Sequence, residues 1–92
     1  MFYVVERYLP GFAQPELLRA LDRLRRVTDQ SSGQAMAVRY LGSTIVPEDE
    51  ACFCHFEAPS EAAIAEVNLR AGLPVDRIVA AVAVGGSANR EE

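Results

Sequence analysis

The chain has 92 residues, of which 50% are hydrophobic, and it carries a net charge of −4 at pH 7. This length predicts one domain with a single hydrophobic core. All nine basic residues are arginines and no basic stripe is sustained, so we expect no nucleic-acid partner. No apolar run approaches the roughly 20 residues of a membrane span, and the first residues lack the basic start of a signal peptide. We therefore expect a cytoplasmic protein without a membrane partner, whose thiols stay reduced.

The first half of the chain predicts a strand, a helix and a second strand. Residues 2–9 are rich in aromatic and β-branched side chains and stop at a Pro-Gly turn signal. A helix is predicted from Pro15, because leucines recur three and four positions apart with arginines between them. The polar stretch 31–33 ends that helix. Residues 35–46 predict the second strand, in which Gly42 indicates a bulge or bend.

The second half repeats this order with a strand, a helix and a final strand. Residues 51–57 predict the third strand, and Ser60 is a favoured N-cap for the second helix. Gly72 is the expected left-handed residue at the end of that helix. Residues 77–84 predict the fourth strand, and residues 85–92 are expected to form a disordered tail.

The order β-α-β-β-α-β predicts an α+β fold of the ferredoxin-like kind over residues 1–84. Such a fold has a four-stranded antiparallel or mixed sheet with two helices on one face. From right-handed crossover connections we expect the first and third strands to be parallel neighbours at the centre of the sheet. The opposite face of the sheet is then left open.

The stretch CFCHFE, residues 52–57, contains both cysteines and the only histidine of the chain. Because side chains alternate along a strand, Cys52 and Cys54 are predicted to lie beneath the helices, and His55 and Glu57 on the open face. Neighbours on opposite faces cannot chelate one ion, so this stretch is not a zinc motif. Apolar surroundings also argue against a nucleophilic cysteine. A disulfide within the strand is disfavoured, since positions two apart lie roughly 6.5–7 Å from each other.

Two alternatives arise on the open face, depending on the orientation of the first strand. If Glu6 faces that side, then His55, Glu57 and Glu6 form a nitrogen and oxygen ligand set for a divalent transition metal. If Arg7 faces it instead, Glu57 has a salt-bridge partner and His55 is left as an acid–base group. The sequence leaves both open, because both faces of the strand are apolar before these charges.

The open face is too apolar to lie in water, because the fourth strand has apolar residues on both sides and Phe53 adds to them. The simplest way to bury this apolar face is to pack it against a second copy of the chain related by a two-fold axis. We therefore predict a homodimer packed through the open sheet faces. His55 and Glu57 then lie in or beside a cleft between subunits, where a small ligand can bind. The candidate pocket residues are Arg7, Arg39, Tyr40, Phe53 and Asn68.

Three stretches carry a family resemblance: VERYLPG at 5–11, CHFEAPS at 54–60 and RAGLPVDRI at 70–78. They resemble a family of small bacterial domains of formerly unknown function that includes nickel-binding proteins. The resemblance implies a ferredoxin-like fold, a dimer and nickel as the bound ion. Relatives carry histidine where this chain has Asn68, and an apolar residue is usual where it has His55. One histidine per chain can still serve if a dimer contributes two.

Two functions follow as hypotheses. The first is a small dimeric metal- or ligand-binding protein, with nickel or another divalent transition metal as the ion that the resemblance implies. The alternative is a small enzyme of the dimeric α/β-barrel kind, which acts on an organic ligand in the cleft between subunits and uses His55 as an acid–base group. No serine-hydrolase, P-loop or dinucleotide motif is present, so we favour binding over catalysis.

Overall fold

The computed structural model describes residues 1–31 and 37–85. Its elements follow the predicted order, with a short 3₁₀ turn at Pro47–Asp49 between the second and third strands. The strands and helices are β1 Phe2–Tyr8, α1 Gln14–Gln30, β2 Arg39–Val46, β3 Ala51–Glu57, α2 Glu61–Ala71 and β4 Arg77–Ala81. The disordered tail predicted for 85–92 lies, beyond its first residue, outside the described residues and stays a prediction, as does the 1–84 domain boundary.

The four strands form one antiparallel sheet in the order β2-β3-β1-β4. The predicted ferredoxin-like α+β fold is confirmed. The expectation that β1 and β3 are parallel is wrong, because they pair antiparallel, with Val5 opposite Cys54. The reason lies in the connection before β3. The crossover through α1 makes β2 run in the same direction as β1, and the tight turn at Pro47–Asp49 then reverses the chain, so β3 must oppose both.

Local chemistry marks both ends of α2 and the first turn of α1. In α2, the Ser60 side chain accepts a hydrogen bond from the backbone N–H of Ala63 at 3.2 Å, which satisfies one free donor of the first turn. Gly72 follows with a φ of 74°, a left-handed conformation that costs glycine little. The proline in the first turn of α1 lacks the N–H that would have no helical partner there.

The core lies between the helices and one face of the sheet. The side chains of α1 that point into it are Leu17, Ala20, Leu21, Leu24 and Thr28, which are spaced at helical periodicity. From β3, Cys52, Cys54 and Phe56 are fully buried against them. The alternation of β3 is therefore as predicted, with the cysteines inside and His55 on the opposite face.

Strand β2 contains a bulge at the predicted place. Tyr40 pairs with Phe56 and Gly42 pairs with His55, so Leu41 is the extra residue. Gly42 has a φ of 126°, which an L side chain rarely adopts. Because one residue is extra, Tyr40 and Ser43 both face the helices although they are three positions apart.

Strand β4 is shorter than predicted, since it ends at Ala81 rather than at residue 84. Its partner β1 begins at Phe2, which pairs with Ala81. The residues after Ala81 therefore have no β1 residue opposite them with which to form backbone hydrogen bonds. Val82 and Val84 are each 86% exposed. Throughout residues 1–31 and 37–85, no helix has the length and hydrophobicity of a transmembrane span.

Candidate functional site

The open face of the sheet carries three side chains from β1 and three from β3. They are the half-buried Phe2, Val4, Glu6, Phe53, His55 and Glu57. Glu6 therefore lies on the open face, and Arg7 is fully buried beneath the helices. The structure thus settles the orientation of β1 that the sequence left ambiguous. A salt bridge between Arg7 and Glu57 is excluded, because the sheet separates them.

His55 lies near the centre of the open face. It is opposite Val4 on one side and Gly42 on the other. Its ring stacks on Phe2, with centroids 6.0 Å apart and planes inclined by 21°. Within the described part of the chain, the imidazole makes no hydrogen bond or ion pair. Both ring nitrogens are therefore available to a ligand.

Each of the two candidate carboxylates already contacts a cation. Glu57 Oε1 lies 3.1 Å from the N-terminal ammonium of Met1. Glu6 Oε2 lies 3.7 Å from Nε of Arg77, which is opposite it in β4. These are exposed ion pairs, which typically contribute about 0–1 kcal/mol, so neither carboxylate is held strongly.

One chain does not bring His55, Glu57 and Glu6 together. Glu57 is two positions from His55 on the same strand. Glu6 is opposite Phe53 on β1 and is therefore a diagonal neighbour of His55. The two carboxylates are four ladder positions apart, about 13 Å along the strands. Among residues 1–31 and 37–85 there is no group of three or more histidine, cysteine or acidic side chains that could hold a metal ion. The three-residue set stays a prediction and needs further ligands from elsewhere.

The five candidate pocket residues do not line one pocket. Arg39 and Phe53 are on the open face, since Arg39 pairs with Glu57. Arg7, Tyr40 and Asn68 lie on the helix side of the sheet. The sequence could not place Tyr40, because its orientation depends on the single extra residue in β2. Asn68 is buried in α2 and cannot act on the same ion as His55.

On the helix side, Arg7 is held by neutral oxygens. Its Nη1 donates to the carbonyl of Pro74 and its Nη2 to Oδ1 of Asn68, both at 2.8 Å. Asn68 is fixed in turn, because its Nδ2 donates to the carbonyl of Ile64 at 2.8 Å. The Nε of Arg7 is buried without a partner among the described residues. Sequence reasoning missed this site, since an arginine at a strand end normally faces water.

Two sulfur atoms adjoin this arginine. The Sγ atoms of Cys52 and Cys54 are 3.8 Å apart, and the hydroxyl of Ser43 donates to Sγ of Cys54 at 2.9 Å. Tyr40 in turn exchanges a hydrogen bond with Ser43 through their hydroxyl groups. The hydrogen bond with Cys52, the charge of Arg7 and the hydroxyl of Ser43 lower the pKa of Cys54 from its usual value, against the effect of burial. The surroundings of Cys54 are therefore not the purely apolar ones that its sequence neighbours suggested.

Two of the cavities formed by the described residues lie on the helix side. One, of about 150 Å³, is lined by Leu9, Phe12, Gln14, Leu17, Ile45, Pro47, Glu50 and Ala51. The other, an open groove of about 330 Å³ between α1 and β2, is lined by Leu18, Leu21, Asp22, Arg25, Tyr40, Ser43 and Ile45. His55 borders neither. The groove is lined by the hydroxyl groups of Tyr40 and Ser43, and the Ser43 hydroxyl is hydrogen-bonded to Sγ of Cys54.

Comparison with known proteins identifies relatives of this fold. The sequence model of the family described as nickel responsive protein SCO4226-like matches residues 3–80. The crystal structure of SCO4226 from Streptomyces coelicolor A3(2) superimposes with a TM-score of 0.76 at 20% identity, covering 92% of this chain and 100% of that one. At this identity the structural match shows the fold alone. No curated protein matches the chain.

Proposed function

We propose that this chain, which belongs to the SCO4226-like family of nickel responsive proteins, binds nickel or another divalent transition metal as a homodimer. The ion binds at His55, with carboxylate ligands from Glu57 or Glu6. The two chains pack through their open sheet faces. The family membership suggests the ion, and the chemistry of the open face suggests the place.

The observation that carries the proposal is the state of His55. It is half-buried among apolar side chains, and its only described contact is the stack on Phe2. Its two ring nitrogens have no partner among the described residues and can therefore accept a metal ion. Imidazole is a natural ligand for nickel and related ions.

A second copy supplies what one chain lacks. The helices cover only one face of the sheet, and the other exposes apolar area from Phe2, Val4, Phe53 and Val79, all half-buried in the single chain. A two-fold axis through this face would bury that area and bring a second His55 and a second pair of carboxylates to the same interface. Two histidines and two carboxylates make an adequate ligand set for nickel.

The carboxylates can be released at small free-energy cost. Their present partners, the Met1 ammonium and Arg77, are more than half exposed, and exposed pairs contribute little. Loss of the present ion pair of Glu57 or Glu6 is therefore a small obstacle to metal binding. The residues present fit a nickel site on these terms, provided that two chains share it.

Calorimetric titration of tag-free protein with nickel chloride tests the proposal. We expect binding tighter than about 1 μM, and an affinity at least about tenfold weaker in His55→Ala. Glu57→Gln and Glu6→Gln show which carboxylate takes part. Glu66→Gln, an exposed position on α2, is the matched control and should bind as the wild type does. Absence of binding, or wild-type affinity in His55→Ala, would reject the site.

The enzyme alternative places its organic ligand in a cleft between two subunits, with His55 in the wall. The cavities described above belong to the single chain and are lined by other residues, so no observation on the described residues favours catalysis over metal binding.

A further inference from the structure

Arg7 is a buried cation without a described counter-ion. Its side chain is 0% exposed, and the acceptors of Nη1 and Nη2 are a backbone carbonyl and a carboxamide, both neutral. Its Nε has no acceptor among the described residues. A buried charge is destabilising unless it is paired and its donors are satisfied. A further negatively charged or strongly polar acceptor near the Nε of Arg7 would therefore be favourable.

The sulfur of Cys54 lies on the same face of β3 as Cys52, the residue opposite Arg7. It is fully buried, it accepts a hydrogen bond from the Ser43 hydroxyl at 2.9 Å, and the charge of Arg7 contributes to lowering its pKa. Sulfur is a weak acceptor, so it satisfies these donors poorly. An oxygen atom attached to the sulfur would satisfy them better.

We propose that Cys54 is a site of oxidation by hydrogen peroxide, and that Arg7 and Ser43 hold the resulting sulfenic acid or sulfenate. The sulfur attacks one peroxide oxygen, an S–O bond forms and the O–O bond breaks. The second oxygen takes the thiol proton and leaves as water. The sulfur loses two electrons and the peroxide gains them, so no other reactant is needed.

The geometry selects Cys54 over Cys52. Both sulfurs are buried, and Cys52 is directly opposite Arg7 in the ladder. The Ser43 hydroxyl distinguishes the two, because its hydrogen bond goes to Sγ of Cys54. Cationic and hydrogen-bonding neighbours are what make a thiol reactive. The new oxygen also supplies the acceptor that Nε of Arg7 lacks among the described residues.

A route to the sulfur exists for a molecule as small as peroxide. The groove between α1 and β2 has a volume of about 330 Å³ and is lined by Tyr40 and Ser43. The Ser43 hydroxyl lies between that groove and Cys54. Ser43 is therefore the side chain that separates a peroxide molecule in the groove from the sulfur.

The oxidised product is expected to persist. Cys52 and Cys54 are two positions apart on one strand, and their α-carbons are separated by roughly 6.5–7 Å, at the limit of what a disulfide spans. Cys52 therefore does not resolve the sulfenic acid efficiently. The expected mass change is a gain of about 16 Da, whereas disulfide formation would remove about 2 Da.

The test treats the reduced, tag-free full chain with hydrogen peroxide and traps sulfenic acid with dimedone. Fragment ions of the peptide that contains both cysteines locate the label. We expect Cys54 to be labelled at least about tenfold more than Cys52 in the folded protein, and both equally in urea, where the surroundings are lost. Cys52→Ser should retain the label and Cys54→Ser should lose it. Equal labelling of the two cysteines in the folded chain, or conversion mainly to a disulfide, overturns the proposal.

The role of Arg7 is tested separately with Arg7→Lys, which keeps the charge and replaces the three guanidinium nitrogens by one ammonium group. We expect labelling of Cys54 to become about tenfold slower, and no change in the matched control Arg70→Lys, an exposed position on α2. Wild-type labelling in a folded Arg7→Lys variant contradicts the assignment. If circular dichroism shows that this variant does not fold, Ser43→Ala takes its place, and wild-type labelling there is equally contradictory.

Discussion

Arg7 and Asn68 meet in the core, where Nη2 of the arginine donates to Oδ1 of the asparagine at 2.8 Å. Both side chains are 0% exposed. The bond joins the end of β1 to the C-terminal half of α2, and the two residues are 61 positions apart in the chain. A polar contact therefore fixes how α2 sits on the sheet.

Asn68→Ala is expected to lower the free energy of unfolding by about 2–3 kcal/mol, because it leaves a buried charged donor without its acceptor. Urea denaturation followed by circular dichroism measures the loss. Leu69→Ala is the control, since Leu69 is 75% exposed and should change stability by no more than about 0.5 kcal/mol. Equal stability of the two variants would show that the bond contributes nothing.

Gly72→Ala is expected to destabilise the protein by about 1–2 kcal/mol, the usual penalty of a left-handed conformation for an L residue. No atom lies within 4 Å of the added Cβ, so the effect comes from the backbone alone. Gly85→Ala is the matched control, because open space also surrounds that position and no positive φ is found there. Thermal unfolding compares the two, and a Gly72→Ala variant as stable as the control contradicts the backbone argument.

Val79→Glu is expected to convert the proposed dimer into a monomer at micromolar concentration, because it places a charge on the open face. Sedimentation velocity measures the change. Ala80→Glu is the control, since Ala80 is adjacent in β4, exposed, and opposite the buried Tyr3 on the helix side. A monomeric wild type, or a dimeric Val79→Glu variant, would refute the arrangement of the two sheets.

The pKa of Asp22 is lowered mainly by its hydrogen bond with Arg25 and also by the charges of Arg26 and Arg25. A lowered pKa in the folded state stabilises the protein above the unfolded value, near pH 4, and this stabilisation disappears as the pH falls through the folded value. Because Asp22 is exposed, the effect on stability is small. Arg25→Gln is expected to raise the pKa in a carboxyl NMR titration, and Arg70→Gln should leave it unchanged. An unchanged pKa in Arg25→Gln counts against this interaction.

The fold was largely readable from local signals. Ser60 and Gly72 mark the ends of α2 because their chemistry is independent of the rest of the chain. The faces of Cys54 and His55 follow from alternation within one strand. The direction of β3 relative to β1 was misjudged, because it depends on counting the reversals between them and no local pattern encodes it.

The candidate site was less predictable for two physical reasons. The faces of Glu6 and Arg7 could not be assigned, because β1 is apolar on both sides and its alternation carries no information. The bond between Arg7 and Asn68 joins distant parts of the chain, so no spacing reveals it. What the sequence did identify is the isolation of His55 from the cysteines beside it.

The extra residue in β2 allows the length of this strand to vary without moving its polar side chains. Tyr40 and Ser43 share a face although they are three positions apart, because Leu41 is unpaired between them. Deleting Leu41 would leave a regular ladder in which Tyr40 still pairs with Phe56, so Tyr40 and Ser43 would stay on the helix side and Arg39 on the open face. Related sequences must therefore be aligned across this strand with a gap allowed at position 41.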